Sequence, residues 1–204
     1  MKTLRLPLTS TPKEPHVPIL ISANLSTASR IIVVFGEPNQ DLGIWAYRSV
    51  GMEGINAGSA VSLAQEILHS SANESPGSDS GNGQKKQRKI NSDTALILAN
   101  TGQLIWHCGG RQAVTQPTWH ALPRRSAVDP PLTMSSRNEI PGNANWQEHI
   151  ECVFEEVLAA RGRLVREDAK IDVIGVAEGG LGAIRYLTSD CMCFIPPFLS
   201  CLFN

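Results

Sequence analysis

A glycine-rich turn between a strand-like run and a helix-like run constrains this chain more than any other feature. Residues Ile171 to Val176 (IDVIGV) have the apolar, β-branched character of a buried strand, and Leu181 to Leu187 have helical character. Between the two runs lies the hexapeptide GVAEGG, which begins at Gly175. A turn this tight brings the strand and the helix together, so side chains at several positions would collide. The pattern predicts a strand, turn and helix unit of an α/β protein.

The other apolar runs fit the same class of fold. Short β-branched runs predict strands, and helical spacing predicts a helix from Gly58 to His69, with Ser59 as its N-cap. A full apolar stripe predicts a second helix, from Gln147 to Ala160, capped by Asn145. The predicted strands before the glycine turn are Val17 to Ile21, Ile31 to Phe35 and Ala95 to Ala99. Strands that alternate with helices predict a three-layer α/β fold with a mostly parallel sheet.

Composition predicts one domain with flanking and inserted segments. The 204 residues, 42% of them hydrophobic, suffice for a single core. We expect a flexible lead-in at 1–16, a domain at 17–190 and an atypical tail at 191–204. Residues 70–93 are almost free of apolar side chains, which predicts a disordered insertion. We also expect the proline-rich stretch from Gly109 to Asn145 to be a long irregular crossing, too polar for the core.

Charge and cysteine content exclude several classes of protein. Lys and Arg number 18 against 19 Asp and Glu, a formal charge of -1, which argues against direct nucleic-acid binding. One basic patch stands out in the insertion, where it is a nuclear-localisation signal or a solvated run: Lys85, Lys86, Arg88 and Lys89. The cysteine spacing fits no metal site, so we expect no metal and no cofactor. The apolar tail is too short to cross a membrane and contains Pro196 and Pro197.

The glycine turn has the layout of a nucleophile elbow, G-x-S-x-G, without its chemistry. Its residues are Gly175, Ala177, Glu178, Gly179 and Gly180. The central position is Ala177, which has neither a hydroxyl nor a thiol, so covalent acyl transfer cannot begin there. In this class of enzyme the histidine follows the nucleophile, and every histidine of this chain precedes the turn. These two departures predict a noncatalytic domain.

Three other interpretations of the sequence stay open. The glycines are also explained by a close crossing of helix and strand with no ligand. A hydrolase with a different nucleophile would use Ser59, Thr101 or Ser189, none of which lies at a predicted elbow. An RNA-contacting module rests on the basic patch alone.

Four blocks in order resemble the fungal Argonaute-binding protein 2 domain, which has a hydrolase-like fold. The blocks are VVFGEPNQDLGIWAYRSVG, GSAVSLAQEIL, NTGQLIW and IDVIGVAEGG, and they run from Val33 to Gly180. The same domain occurs in a subunit of the fission-yeast Argonaute small-RNA chaperone complex and at the C-terminus of fungal class II histone deacetylases. The resemblance implies an α/β-hydrolase type of sheet and a nuclear role in RNA-directed silencing or heterochromatin, with the cytoplasm as an alternative compartment. It also implies protein partners, such as Argonaute or subunits of histone-modifying complexes.

The end of the chain departs from this family pattern. After Asp190 the sequence loses any recognisable resemblance, so we expect a sheet that is truncated at its C-terminal end. The strand at Ile171 to Val176 is then expected to lack a neighbour on one side.

Overall fold

A computed structural model describes residues 1–70, 93–124, 126, 128–189 and 199–203, with the backbone alone at 68–70 and 199–203. The strands are β1 (Lys2–Leu6), β2 (Val17–Ile21), β3 (Arg30–Phe35), β4 (Thr94–Leu98), β5 (Ile105–His107), β6 (Gln112–Val114), β7 (Lys170–Gly175) and β8 (Leu199–Phe203). The helices are α1 (Tyr47–Glu53), α2 (Ile55–Gly58), α3 (Val61–Ser70), α4 (Gln116–Ala121), α5 (Trp146–Cys152) and α6 (Glu178–Ser189). A 3-10 turn lies at Ser136–Asn138, and a π-helical segment at Val153–Leu158 continues α5.

The strands of the main sheet lie in the order β1-β2-β4-β3-β7-β8. Four of them, β4, β3, β7 and β8, are mutually parallel, and β2 is antiparallel to both β1 and β4. Strands β5 and β6 form a separate antiparallel pair. The fold is therefore a mixed α/β structure with a mostly parallel sheet, as the alternation of strands and helices predicts.

The central strand β3 shows why helices cover both faces of the sheet. Its alternate residues Ile31, Val33 and Phe35 belong to the larger hydrophobic cluster, which α5, the π-helical segment and α6 complete. Its residues Ile32 and Val34 point to the opposite face and pack in the second cluster, with side chains of α3. Burial on both faces explains the continuous apolar run of this strand.

The two predicted helices form at the expected places. The side chain of Asn145 accepts a hydrogen bond from the Glu148 N–H at 2.9 Å, which caps α5. The hydroxyl of Ser59 accepts the Val61 N–H at 3.3 Å at the start of α3. The apolar stripe predicted from the sequence is buried along α5 and the π-helical segment: Ile150, Val153, Phe154, Val157 and Leu158.

The N-terminal lead-in is a strand, so the expectation of a flexible segment at its start is wrong. Lys2–Leu6 pairs with β2 over its whole length, from Lys2 opposite Ile21 to Leu6 opposite Val17. Leu6 is fully buried, whereas Lys2 and Arg5 are exposed. Because β1 is an edge strand with two exposed basic residues, its sequence lacks the apolar run that identifies the inner strands.

The C-terminal tail also contributes a strand, which corrects a second expectation. Strand β8 pairs in parallel with β7, from Leu199 opposite Ile171 to Phe203 opposite Gly175. Strand β7 therefore has a neighbour on each side, β3 and β8.

The proline-rich stretch from Gly109 to Asn145 is less irregular and less polar than expected. It contains β6, α4 and the 3-10 turn, and it buries Trp119 and Ile140. Ile140 packs with Val17, Trp106 and Ala113 in a third hydrophobic cluster beneath β5 and β6. The predicted disordered insertion, apart from its first and last residues, lies outside the described residues, and so does its basic patch (Lys85, Lys86, Arg88 and Lys89).

Candidate functional site

The turn between β7 and α6 has the backbone shape of a nucleophile elbow. Strand β7 ends at Gly175, α6 begins at Glu178, and Ala177 between them has φ of +50°. This left-handed conformation is costly for any residue with a Cβ atom. The Ala177 carbonyl accepts the N–H groups of Gly180 and Leu181, at 3.1 and 3.2 Å, so the helix starts directly from the tip of the turn. Ala177 is exposed there.

The glycines of the elbow are required by packing. A Cβ atom on Gly175 would lie 2.1 Å from the Gly180 Cα, and a Cβ on Gly179 would lie 2.4 Å from the carbonyl oxygen of Gly36. Real Cβ contacts essentially never come below 3.0 Å. The close crossing of α6 with β7 and with the end of β3 therefore accounts for these glycines without a ligand.

The tip of the elbow holds no nucleophile. The side chain of Ala177 is a methyl group, and the neighbouring Glu178 is an exposed carboxylate. A methyl group cannot attack a carbonyl carbon, so the elbow at this position offers backbone geometry alone.

Three loops meet beside the elbow at the carboxyl ends of β3, β4 and β7. The hydroxyl of Thr101 donates to the Gly36 carbonyl at 2.7 Å, and a Cβ on Gly102 would lie 1.9 Å from the Gln40 carbonyl oxygen. We call this meeting point the crest; its loop residues are 36–45, 99–103 and 176–178. A cavity of about 10 Å³ lies within it, lined in part by Glu37, Gln40 and Thr101. Space of this size suits about one water molecule.

His149 is buried and serves the fold. Its Nε2 accepts the backbone N–H of Asn100 at 3.0 Å, and its Nδ1 lies 2.7 Å from the Asn143 Oδ1. Both ring nitrogens are therefore occupied, with the proton on Nδ1. Burial lowers the pKa of His149 to about 3, so the ring is neutral near pH 7. A neutral imidazole with both nitrogens bonded cannot act as a general base for the crest.

Two other described imidazole rings pack against tryptophans. The ring of His16 packs against Trp106 at 5.0 Å, and the ring of His107 packs against Trp119 at 6.2 Å. His120 lies on α4. Among the described residues, no group of three His, Cys, Asp or Glu side chains could hold a metal ion.

The other hydroxyls considered as nucleophiles lie in three separate places. Ser59 is buried and donates to the Ile55 carbonyl at 2.5 Å, and Ser189 ends α6. Thr101 alone lies in the crest, where it is 3% exposed.

The segment after β3 exposes several large apolar side chains, which no sequence pattern predicted. Helix α1 has no buried residue. Four large side chains on or beside α1 and α2 are exposed: Tyr47 by 50%, Met52 by 73%, Ile55 by 49% and Val61 by 37%. Exposed apolar side chains in one stretch are typical of surfaces that contact another protein. Their spacing matches no helical stripe, so the sequence carried little signal for them.

Comparison with known proteins gives one result. No curated protein and no solved structure matches the chain. None of the described helices has the length and apolar content needed to cross a bilayer. The model of the Arb2 domain matches residues 1–195, which include β1 to β7, the elbow and α6. The chain therefore belongs to the Arb2 domain family, and this membership implies a role in protein interaction.

Proposed function

We propose that the chain is a noncatalytic protein-interaction domain of the α/β-hydrolase type. The observation that carries the proposal is Ala177, which takes the strained conformation of an elbow tip, with φ of +50°, but has no nucleophilic atom. The sheet supports the hydrolase-type fold, because the elbow follows a parallel strand that has neighbours on both sides. Helices that cover both faces of the sheet fit the same class.

A test of this proposal uses a serine-directed fluorophosphonate probe and simple ester substrates. We expect neither labelling nor turnover, because loss of the nucleophile of a serine hydrolase costs about a millionfold in rate. We expect Ala177→Ser to remain inactive as well, since His149 is bonded at both nitrogens and cannot take the serine proton. Stoichiometric labelling of the unmodified protein would contradict the proposal.

The alternative is a hydrolase that uses another nucleophile, and Thr101 is the one candidate in the crest. Its hydroxyl donates its proton to the Gly36 carbonyl, which is not a base. Thr101→Val separates the two readings. Any esterase activity that this variant abolishes would favour the alternative, whereas activity that is absent from both proteins supports the interaction domain.

We further propose that the domain acts in nuclear complexes for RNA-directed silencing or heterochromatin, with Argonaute or subunits of histone-modifying complexes as partners. Membership of the Arb2 family supports the interaction role, and the exposed side chains of α1 and α2 offer a surface for it. Affinity purification from the native host followed by mass spectrometry is the test. A set of recovered proteins made up only of cytosolic metabolic enzymes would count against this assignment.

Direct RNA binding is the outcome to separate from protein contact. Phosphate contacts give an affinity that falls steeply with salt concentration. With a formal charge of -1, we expect no salt-dependent binding of labelled single-stranded RNA by the full chain. A steep salt slope would assign the interaction to RNA instead.

A further inference from the structure

In the described part of the chain, β1 is the outermost strand of the main sheet and pairs with β2. In an antiparallel pair, each residue directs both its N–H and its C=O to one side, and the side alternates along the strand. Pro18 of β2 directs its carbonyl away from β1, because this oxygen accepts the Asn100 Nδ2 at 2.9 Å. Ser22, just past β2, donates its N–H to the Leu96 carbonyl of β4 at 2.9 Å. The even-numbered residues of β2 therefore face β4, and the odd-numbered residues face β1.

This alternation determines which backbone groups of β1 point outward. Arg5 lies opposite Pro18, an even-numbered residue, so the N–H and C=O of Arg5 point away from β2. Thr3, two residues earlier, directs its own N–H and C=O the same way. Both residues are exposed, and no described residue bonds to these four backbone groups. The outer edge of β1 thus offers two donors and two acceptors to an added strand.

The same edge carries two positive charges. Lys2 and Arg5 are exposed, and neither forms an ion pair with a described residue. Successive side chains of a strand alternate between the faces of a sheet, so Lys2 lies on one face and Arg5 on the other. The carboxylate of Glu156 lies past the end of β1, where it accepts the Leu8 N–H at 2.6 Å. A strand added along β1 would therefore meet one cation on each face.

An apolar position lies between the two cations. Leu4 is partly buried and packs against the larger hydrophobic cluster. An apolar side chain placed opposite Leu4 on an added strand would extend this cluster across the edge. The edge therefore fits an extended segment that has two carboxylates, one for each face, and an apolar residue between them.

We propose that β1 is a docking edge for an extended acidic segment of a partner protein, which adds to the sheet as an antiparallel strand. Its two carboxylates lie three residues apart, opposite Lys2 and Arg5, and its apolar residue lies opposite Leu4. Antiparallel pairing lets one residue of the partner bond both the N–H and the C=O of Arg5, in the more stable of the two ladders. The inference goes beyond the proposed function, because it names a different surface and is tested by peptide binding without any silencing partner.

Fluorescence anisotropy of labelled peptides with the full chain, carrying no residues before Met1, tests the charge requirement. The acidic probe has the core V-E-V-T-E, the control has V-K-V-T-K, and both have blocked termini. We expect saturable binding of the acidic probe and about tenfold weaker binding of the control. The double variant Lys2→Glu with Arg5→Glu should reverse this preference, which an unfolded variant could not do. Absence of binding, equal affinities, or a preference that the double variant leaves unchanged would overturn the proposal.

A single N-methyl group in the acidic probe tests the register. The first glutamate of the probe, opposite Arg5, directs its N–H toward β1, whereas the central valine, opposite Leu4, directs its N–H away. N-methylation of this glutamate should weaken binding about fivefold, as for the loss of one ordinary hydrogen bond. N-methylation of the central valine is the matched control and should have little effect. Equal losses at the two positions would show that the probe does not add to β1 as a strand.

One further variant separates a partner segment from other occupants of the edge. Thr3→Pro removes an outward N–H and keeps both cations and the bonds to β2. We expect it to bind the acidic probe about fivefold more weakly, with an unchanged sedimentation coefficient of the chain alone. A dimer of the parent chain that Thr3→Pro dissociates would assign the edge to a second copy and overturn the proposal. Displacement of the probe by single-stranded RNA would assign the cations to phosphate and overturn it as well.

Discussion

The elbow follows β7, and the hairpin formed by α1 and α2 (residues 47–58) follows the adjacent strand β3, but contacts of different kinds hold the two regions in place. The elbow depends on contacts between distant parts of the chain, such as Gly179 against Gly36. The hairpin depends on contacts within about 20 residues, and none of its α1 residues is buried. Packing therefore maintains the shape of the elbow whatever side chain its tip carries, which here is the methyl group of Ala177. An elbow in the backbone shows how the fold closes, and it is not by itself a sign of catalysis.

The strongest way to test this difference is to add one methyl group in each region. Gly175→Ala would place its Cβ 2.1 Å from the Gly180 Cα, so we expect a loss of about 3 kcal/mol or more in unfolding free energy. Gly51→Ala is the matched control on α1, because a Cβ there meets nothing within 4 Å. We expect it to be neutral or to stabilise by about 0.5–1 kcal/mol. Urea unfolding measures both, and equal effects would erase the distinction between the regions.

The buried imidazole beside the crest predicts a pH dependence for the packed region. Burial lowers the pKa of folded His149 to about 3 from its ordinary value of 6.5, so the unfolded chain binds more protons between these two values. The His149 contribution to stability is therefore complete above about pH 6.5 and decreases as the pH falls toward 3, by about 1.4 kcal/mol per pH unit. Urea unfolding at pH 7 and pH 5 measures the slope.

The matching variant is His149→Gln, which cannot titrate. We expect it to be less stable than the parent at pH 7 and to lose this share of the slope. A slope that is the same in both proteins would mean that another group causes it.

A smaller effect, of opposite sign, is expected at the tip of the elbow. Ala177 has φ of +50°, a conformation that costs a residue with a Cβ about 1 kcal/mol and costs glycine almost nothing. Ala177→Gly should therefore relieve this strain and raise the unfolding free energy. The extra conformational entropy of glycine in the unfolded state offsets part of that gain. Thermal and urea unfolding would detect a net gain of up to about 1 kcal/mol. A clear loss would mean that the methyl group makes contacts which outweigh the strain.

The smallest effect on stability is expected on the hairpin. Met52 is 73% exposed and Ile55 is 49% exposed, so Met52→Ser with Ile55→Ser should change the unfolding free energy by less than about 0.5 kcal/mol per site. The same double variant should recover fewer partner proteins in affinity purification. Val128→Ser is the control, because Val128 is 90% exposed and lies in a different loop. Unchanged recovery with the double variant would remove the hairpin from the interaction surface.

The inner part of the fold could be predicted from the sequence because burial leaves a local pattern. The apolar runs of β2, β3, β4 and β7 lie within one residue of the observed strands, and the stripe of α5 is buried as expected. The edge strand β1 could not be identified in this way, because Thr3 and Arg5 alternate with Leu4 and Leu6 and leave no continuous apolar run. Strand β8 was missed because its five residues show no clear strand pattern, and its pairing with β7 joins residues far apart in the chain.

The candidate site was predictable in outline and not in its contacts. The spacing of Gly175, Gly179 and Gly180 indicated a tight turn of elbow layout, and Ala177 marked the missing nucleophile. The hydrogen bonds of His149 join residues 49 and 6 positions away, so no local pattern reveals them. The hydrogen bonds that Tyr47 and Gln103 both donate to the Asp41 carboxylate depend on two loops that meet only in the folded sheet.

The exposed basic residues of β1 have a consequence for how molecules of this protein behave in solution. An edge strand with free N–H and C=O groups can recruit a strand from another molecule and start aggregation. Two chains approaching along β1 would bring Lys2 and Arg5 of one molecule close to the same residues of the other, and these like charges repel. The side of the sheet formed by β1 thus resists sheet extension by a second copy, and this resistance weakens as salt screens the charges.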